Sequence, residues 1–408
     1  MGEKARPQEV IKAISEHKII AIVRGVEKEQ LIPLVEALYV GGVRLMENTY
    51  NACGKPSDEE TAENIALLAS HMNGRMYIGA GTVLTVGQVE LTQKAGGAFI
   101  ISPNVSEAVI AHTRFSLVED GKVSKTLSYS VGAGTDTKSN DLLKQTVKEG
   151  ISALLSQTGL SEADVTAVIA SGMITSEIGL YPLPHIALPA GKKELHEAMV
   201  TVSLPELSSL PFTFIRGVKM GGATPALTDM MRGEETELQG LAETENAVFV
   251  LPGTHSKIIH TDKEGRIDYF ATHMTGEMAA ALSGHTILRE AVSLQTVTAD
   301  RESLLAGYTC ALEQGISAAL FKVRVYKNLF GAEGEQTYGF FLGAVLASEV
   351  RAILATDVPR VVIGGKRVLK EALATLLVAF GDKEVICADE ATVAASSALG
   401  AVRIWEDV

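Results

Sequence analysis

Over the first 112 residues, short apolar runs alternate with stretches whose apolar residues recur at helical spacing. The run "KIIAIVRG" leads into "EKEQLIPLVEALYVGG", "VRLMENTY" into "DEETAENIALLASHM", "RMYIGAGTVL" into "TVGQVELTQKAGG", and "AFIISPN" into "SEAVIAH". Apolar strands that each feed a helix predict a parallel sheet covered by helices. Gly41–Gly42 and Gly96–Gly97 stand where helix C-caps are expected. From Thr113 the pattern changes with no linker. "RFSLVE", the turn signal "DG" and "VSKTLSY" predict a β-hairpin. A long helical pattern follows, "NDLLKQTVKEGISALLSQTGLSEADV", and "TAVIASGMITSEIGL" reads as strand, Gly-turn and helix.

Further on, "FTFIRGVKMGG" and "AVFVLPGTHSK" read as strands. "KIIHTDKEGRIDYFATHMTGEM" reads as a second hairpin turning at "KEGR". Helices dominate from about 274 to 356, and the chain ends in two strand–helix pairs, "PRVVIGGKRVLKEALATLLVAFG" and "KEVICADEATVAASSALGAVRIW". The length of 408 residues suits two or three domains.

Composition narrows the picture little. Hydrophobic content of 46% with 21% charged residues is globular, and a net charge of −13 disfavours a nucleic-acid-binding surface. An anionic substrate stays compatible with that average, because local cations or helix N-termini bind phosphate. Cys53, Cys310 and Cys387 are far apart and lack metal-ligand spacing, which fits a reduced, cytoplasmic protein. No apolar leader pattern opens the sequence, and no uninterrupted apolar run suggests a membrane span.

Polar residues gather at the ends of the predicted strands: Arg24, Glu47, Asn48, Thr49, Thr82, Ser102 and Asn104. In a (β/α)₈ barrel that rim carries the chemistry. "AIVRG", "GGVRLMENTY", "IGAGTVLT" and "AGGAFIISPN", in this order, resemble the class I 2-keto-3-deoxy-6-phosphogluconate aldolase family over residues 7–112. The resemblance implies Glu47 as general acid/base, with Arg24 and Thr82 holding a pyruvyl carboxylate; the plainer reading of Glu47 is a solvated strand end. Asn48 departs from the family's usual β-branched residue. The resemblance stops after four βα units, before the strands that carry the family's Schiff-base lysine and its phosphate loop. Lys55 and Lys94 lack the setting such a nucleophile needs.

In the remainder, "VFVLPGTHSKIIH" offers a Gly-turn with Gly253, Thr254, His255, Ser256 and Lys257. Such a turn can bind phosphate or be a plain hairpin turn. "RVVIGGKRVLKEAL" places Gly364–Gly365 before a helix. With "ASGMITSEIGL", "MRGEETELQG", "THMTGEM" and "FFLGAVLASEV", these motifs resemble the 2-dehydro-3-deoxygalactonokinase family over residues 113–408. That family belongs to the actin/hexokinase superfamily.

This resemblance implies that "PGTHSK" is a phosphate loop and that Gly364–Gly365 lies by the adenosine. Ser171, Met173 and Ser176 would face the sugar acid, Arg232 its carboxylate, and Glu234 or Glu235 would be the base. The alternative for "RGEE" is an acidic helix start. Such kinases begin with a strand carrying an Asp and a Gly-Thr-Thr turn. Here aldolase-like residues stand in its place, and His112 is an ordinary junction residue.

The expected fold is therefore α/β: four βα repeats of a partial (β/α)₈-type unit (1–112), then an actin/hexokinase-like (ribonuclease H-like), two-lobed kinase domain (113–408, lobes 113–240 and 241–408). The implied function is ATP- and Mg²⁺-dependent phosphorylation of 2-dehydro-3-deoxy-D-galactonate in D-galactonate catabolism, impaired by the missing first phosphate loop. Its metal ligands stay unassigned. The alternatives are a 2-keto-3-deoxy-6-phospho sugar-acid aldolase and a catalytically dead fusion. The expected partners are a small sugar acid and ATP, without nucleic acid or membrane. The half-barrel edge offers a route to a homo-oligomer.

Overall fold

The computed structural model describes residues 7–50, 56–83, 85–101, 113–133, 140–241, 244–294, 296, 298–365 and 367–406. The chain divides into two compact units, Met1–Ala111 and His112–Val408.

In the first unit, strands Ala21–Val23, Leu45–Thr49, Tyr77–Gly81 and Ile100–Ile101 form a parallel sheet in chain order. Helices Lys28–Val40, Asp58–Met72 and Val86–Lys94 connect them. Two of these helices start at capping boxes, Ser57 with Glu60 and Thr85 with Gln88; each box satisfies amides that a helix start leaves free. Met46, Tyr50, Ile78 and Ala80 pack against Leu31, Val35, Ile65, Leu68 and Met72 of the covering helices. Period-2 alternation sends Leu45, Glu47 and Thr49 to the other face. Helix Pro7–His17 covers the start of that face through Val10 and Ala13, against Leu45 and Phe99. Beyond it, Ile22 is level with Glu47 and 68% exposed. The expected helix "SEAVIAH", together with Cys53, Lys55, Ser102, Asn104 and His112, lies outside the described residues.

The second unit opens with the hairpin Thr113–Glu119 and Lys122–Tyr129. Asp120 and Gly121 have φ 48° and 68°, the positive pair that a type I′ turn demands. Its largest sheet runs in the order Ile267–His273, Ser256–Thr261, Val248–Leu251, Arg360–Ile363, Glu384–Cys387. The first two pairings are antiparallel and the others parallel. A second sheet has the order Val168–Ala170, Pro211–Phe214, Val200–Ser203, and a third Asp229–Met231, Val218–Met220, Ile186–Ala187.

Two local expectations fail. No α-helix follows "SGMITS": a single 3₁₀ turn, Gly172–Thr175, gives way to irregular chain. Pro182 and Pro184 supply no amide there. "FTFIRGVKMGG" is two strands in different sheets. Its break contains Gly217, where a Cβ would fall 2.6 Å from the Met231 carbonyl oxygen.

Val248, Val250, Val361 and Ile363 of the large sheet pack on helices Arg301–Gln314 and Glu335–Leu354. Phe249, Leu251, Ile259 and Val362 pack on the opposite side with Leu238, Ala401 and Ile404. Helix Glu335–Leu354 is long and apolar enough to cross a membrane, yet most of it is buried in this core. Glycine seams let helices approach closely. A Cβ at Gly343 would sit 2.0 Å from the Leu304 carbonyl oxygen, and one at Gly400 1.9 Å from that of Thr236. The second seam joins helix Glu234–Leu241 to helix Glu390–Glu406, which also meets the hairpin and strand Val168–Ala170. Packing thus carries the last helix across the expected 240/241 lobe boundary.

Gly400→Ala is expected to destabilise the full chain by about 1–3 kcal/mol, the usual cost of overpacking. Gly253→Ala, whose Cβ meets nothing within 4 Å, is expected to leave the urea midpoint unchanged.

Candidate functional site

The motifs "SGMITS", "RGEETE" and "PGTHSK" converge in the second unit. At Gly172 and Gly233 (φ 82° and 112°) two backbones touch: a Cβ at Gly233 would lie 3.2 Å from the Gly172 Cα. Arg232 ties the loops together. Its Nη1 donates to the Thr175 carbonyl oxygen (2.8 Å) and hydroxyl (2.5 Å), and its Nη2 to the Leu183 carbonyl oxygen (3.0 Å). His185 Nδ1 is 3.3 Å from the same Nη2. The free fork expected for a substrate carboxylate is therefore not found: Nη1 is engaged with Thr175 and Nη2 with Leu183. Beside them, burial and the neighbouring Arg232 charge hold His185 below its ordinary range.

The two acidic residues of "RGEE" differ sharply. Glu235 is fully buried. Its carboxylate folds back to accept from the Gly233 amide (2.9 and 2.8 Å) and the Thr236 hydroxyl (3.1 Å). Burial, reinforced by the Glu234 charge, pushes its carboxyl up to about 8. Having no exposed surface, Glu235 cannot touch a substrate here and serves to close the turn. Glu234 keeps 26% of its side chain exposed. One of its oxygens accepts from the Arg232 amide at 3.0 Å, and the other lies 3.1 Å from the Lys257 ammonium, whose side chain is only 6% exposed. Lys257, expected to face a phosphate, is thus committed to joining "PGTHSK" with "RGEE".

The Pro252–Lys257 turn sits on the first turn of helix Thr275–His285. Amides of Gly276 and Glu277 donate to the carbonyls of Gly253 and Thr254. Gly253's own amide donates to the Ser256 hydroxyl (3.3 Å). His255, exposed, meets Glu277 at 2.8 Å. Ser256 is buried, Thr254 half-buried, and the space over the Gly253 Cα is open. Gly364–Gly365 reaches the same place because strands Arg360–Ile363 and Val248–Leu251 are paired. Gly364 donates to the Val250 carbonyl at 2.9 Å, and a Cβ at Gly365 would strike the Pro252 oxygen at 2.7 Å. Ser171 and Ser176 are half-buried and Met173 is 51% exposed; the Ser176 hydroxyl donates to the Met173 carbonyl.

The sequence motifs do not single out Glu349. It lies fully buried on helix Glu335–Leu354 and accepts from the Thr275 hydroxyl at 2.5 Å. Burial raises its carboxyl, opposed by hydrogen bonds from Thr275 and Ser256. A lone acid in the apolar run "FFLGAVLASEV" was the available signal. Among the described residues, no cluster of three or more His, Cys, Asp or Glu side chains forms a metal site.

In the first unit, Arg24 donates to the hydroxyls of Thr49 (3.1 Å) and Thr82 (2.9 Å). Glu47 is 3% exposed, not a solvated strand end. Its Oε2 has no hydrogen-bond partner among the described residues, and burial raises its carboxyl. Gly81 makes room for it: a Cβ there would fall 2.3 Å from Glu47 Oε1. Lys94 pairs with Glu90 on the surface.

A Sinorhizobium meliloti structure carrying the name 2-dehydro-3-deoxygalactonokinase superposes with a TM-score of 0.58 at 22% identity, covering 73% of this chain and 97% of that one. This likeness shows that the second unit shares that structure's fold. Residues 110–399 match the family model of 2-keto-3-deoxy-galactonokinase, and the chain belongs to that family. Residues 10–120 match the KDPG and KHG aldolase model. The Escherichia coli 2-dehydro-3-deoxygalactonokinase is 28% identical over 194 residues, 46% of this chain and 61% of that protein. A 2-dehydro-3-deoxy-phosphogluconate aldolase from Treponema pallidum is 35% identical over 103 residues, 25% of this chain and 46% of that protein. The chain thus spans less than two thirds of either relative.

Lys257→Met, which strands Glu234, is expected to cost about 3–5 kcal/mol in a denaturant titration, and adding Glu234→Gln to recover part of it. Glu235 keeps its proton in the fold from its ordinary 4.5 up to about 8, where the unfolded chain has lost it. Unfolding free energy is therefore expected to fall as pH rises through that window, and Glu235→Gln to flatten the slope.

Proposed function

We propose that the second unit binds adenine nucleotide and a 2-keto-3-deoxy sugar acid, 2-dehydro-3-deoxy-D-galactonate, and transfers phosphate between them slowly. The single observation supporting this reading is the buried Lys257–Glu234 contact, which joins the phosphate turn to the motif expected to carry the base. Glu234, the acid with exposed surface, would accept the proton of the attacking hydroxyl. Ser171, Met173 and Ser176 would line the sugar acid. Thr254, His255, Ser256 and the open backbone at Gly253 suit a phosphate, with Gly364–Gly365 toward the adenosine. The described side chains do not offer an Mg²⁺ cage, so no step is assigned to the metal; in kinases it arrives largely on the nucleotide phosphates. The proposed setting is the cytoplasm, and the open edge of the first unit is a proposed route to self-association.

Calorimetry with ATP and a coupled ADP assay with 2-dehydro-3-deoxy-D-galactonate test this reading. Measurable ATP binding is expected, with turnover about 10²–10³-fold below an intact family member, the usual loss when one set of charge-stabilising contacts is missing. Absence of ATP binding would refute the nucleotide site, and full turnover would refute the impairment. The aldolase alternative rests on buried Glu47 beside Arg24. Borohydride with pyruvate is expected to trap no lysine adduct on residues 1–112; an adduct would restore that alternative.

A further inference from the structure

The second unit contains the same chain order twice. In the C-terminal half, strand Val248–Leu251 is followed by the hairpin Ser256–Thr261 and Ile267–His273, then helices, then the parallel strands Arg360–Ile363 and Glu384–Cys387. Strand Val248–Leu251 lies in the middle of that sheet, antiparallel to Ser256–Thr261 and parallel to Arg360–Ile363. In the N-terminal half, the hairpin Thr113–Glu119 and Lys122–Tyr129 is followed by helix Asp141–Thr158, then the parallel strands Val168–Ala170 and Pro211–Phe214. The middle strand has no counterpart among the described residues. The hairpin is a sheet of two, and Val168–Ala170 ends its own sheet.

The two edges nevertheless occupy one layer. Phe115, Val168 and Ala170 all pack into the cluster of Leu143, Val147 and Ile151 on helix Asp141–Thr158. The other face points the opposite way in both. Ile169 packs with Ala401 and Ile404, and the Arg114 charge acts on Glu237 of the helix beside them. Helix Glu390–Glu406 meets both hairpin strands and Val168–Ala170. Burial marks the difference between the halves. Val361, Val362 and Ile363 are 0%, 2% and 0% exposed, whereas Val168, Ile169 and Ala170 are all part-exposed. Ile258 and Ile259 are 3% and 0% exposed, whereas Phe115 and Leu117 are part-exposed.

We propose that the gap between Thr113–Glu119 and Val168–Ala170 is a strand-acceptor slot. Its occupant is an extended apolar peptide supplied in trans. It runs antiparallel to the first edge and parallel to the second, with alternate side chains on the two covering helices. Among the described residues neither edge has a strand partner on this side, and main-chain pairing supplies the affinity. The occupant's chemistry follows from its twin: a short β-branched or aromatic strand like "VFVL", buried on both faces.

The test uses the full chain and the synthetic peptide AVFVLPGTHSK (247–257) as probe, read by calorimetry and amide hydrogen exchange. Saturable one-to-one binding is expected, with exchange slowed at least about tenfold at Thr113–Glu119 and Val168–Ala170. A peptide N-methylated at alternate residues is expected not to bind. Three outcomes overturn the proposal: equal binding of a scrambled peptide, binding without protection of these two strands, or both strands already protected in the free chain. In the last case, protection that persists on dilution means the chain fills the slot itself, and protection lost on dilution means a second copy does.

Discussion

An ammonium and a carboxylate 3.1 Å apart, the first almost wholly removed from water, organise the second unit. Neither charge is cheap to bury, and each is tolerable only because the other is present. The pair fixes the Pro252–Lys257 turn relative to the start of helix Glu234–Leu241. That helix start is in turn clamped to the Gly172–Thr175 turn by Arg232. Three segments distant in sequence thus share one rigid junction. Glu235 sits beneath it, protonated over much of the neutral range, so that only one of two adjacent acids carries charge there.

The first unit shows the same economy at smaller scale. Among the described residues, helices close one sheet face and Pro7–His17 covers the start of the other. Glu47 is buried on the second face, its carboxylate lying where a side chain at Gly81 of the neighbouring strand would otherwise stand. Arg24 reaches across to Thr49 and Thr82, leaving a cationic group close to a carboxyl that burial favours in its neutral form.

What the sequence revealed follows the range of the interactions. The turn at Asp120–Gly121, the capping boxes at Ser57 and Thr85 and the four βα repeats are local, and motif and spacing report them directly. Both family resemblances also hold, since each rests on several motifs in order. The site was harder to read. "RGEE" offered two equivalent acids, and only tertiary burial separates Glu234 from Glu235. Arg232 and Lys257 look like ligand-binding cations in one dimension, but each is engaged with a partner far along the chain. Glu349 was hidden because its significance lies in Thr275 and Ser256, 74 and 93 positions away. The helix expected after "SGMITS" gives way to chain that folds back on itself, with the amides of Tyr181 and Leu183 donating to the carbonyls of Ile174 and Thr175.

The glycines divide into two kinds, and the division bears on the chain's history. Gly343 and Gly400 are locked by neighbouring backbone, so any lineage that keeps the fold must keep them. Gly253 has open space where a side chain would go, so folding alone would let it drift. Among descendants of this gene, variation at position 253 set against constancy at 343 and 400 would mark a protein retained for its architecture after its chemistry had lapsed. Constancy at all three would mark selection still acting on whatever occupies that open space.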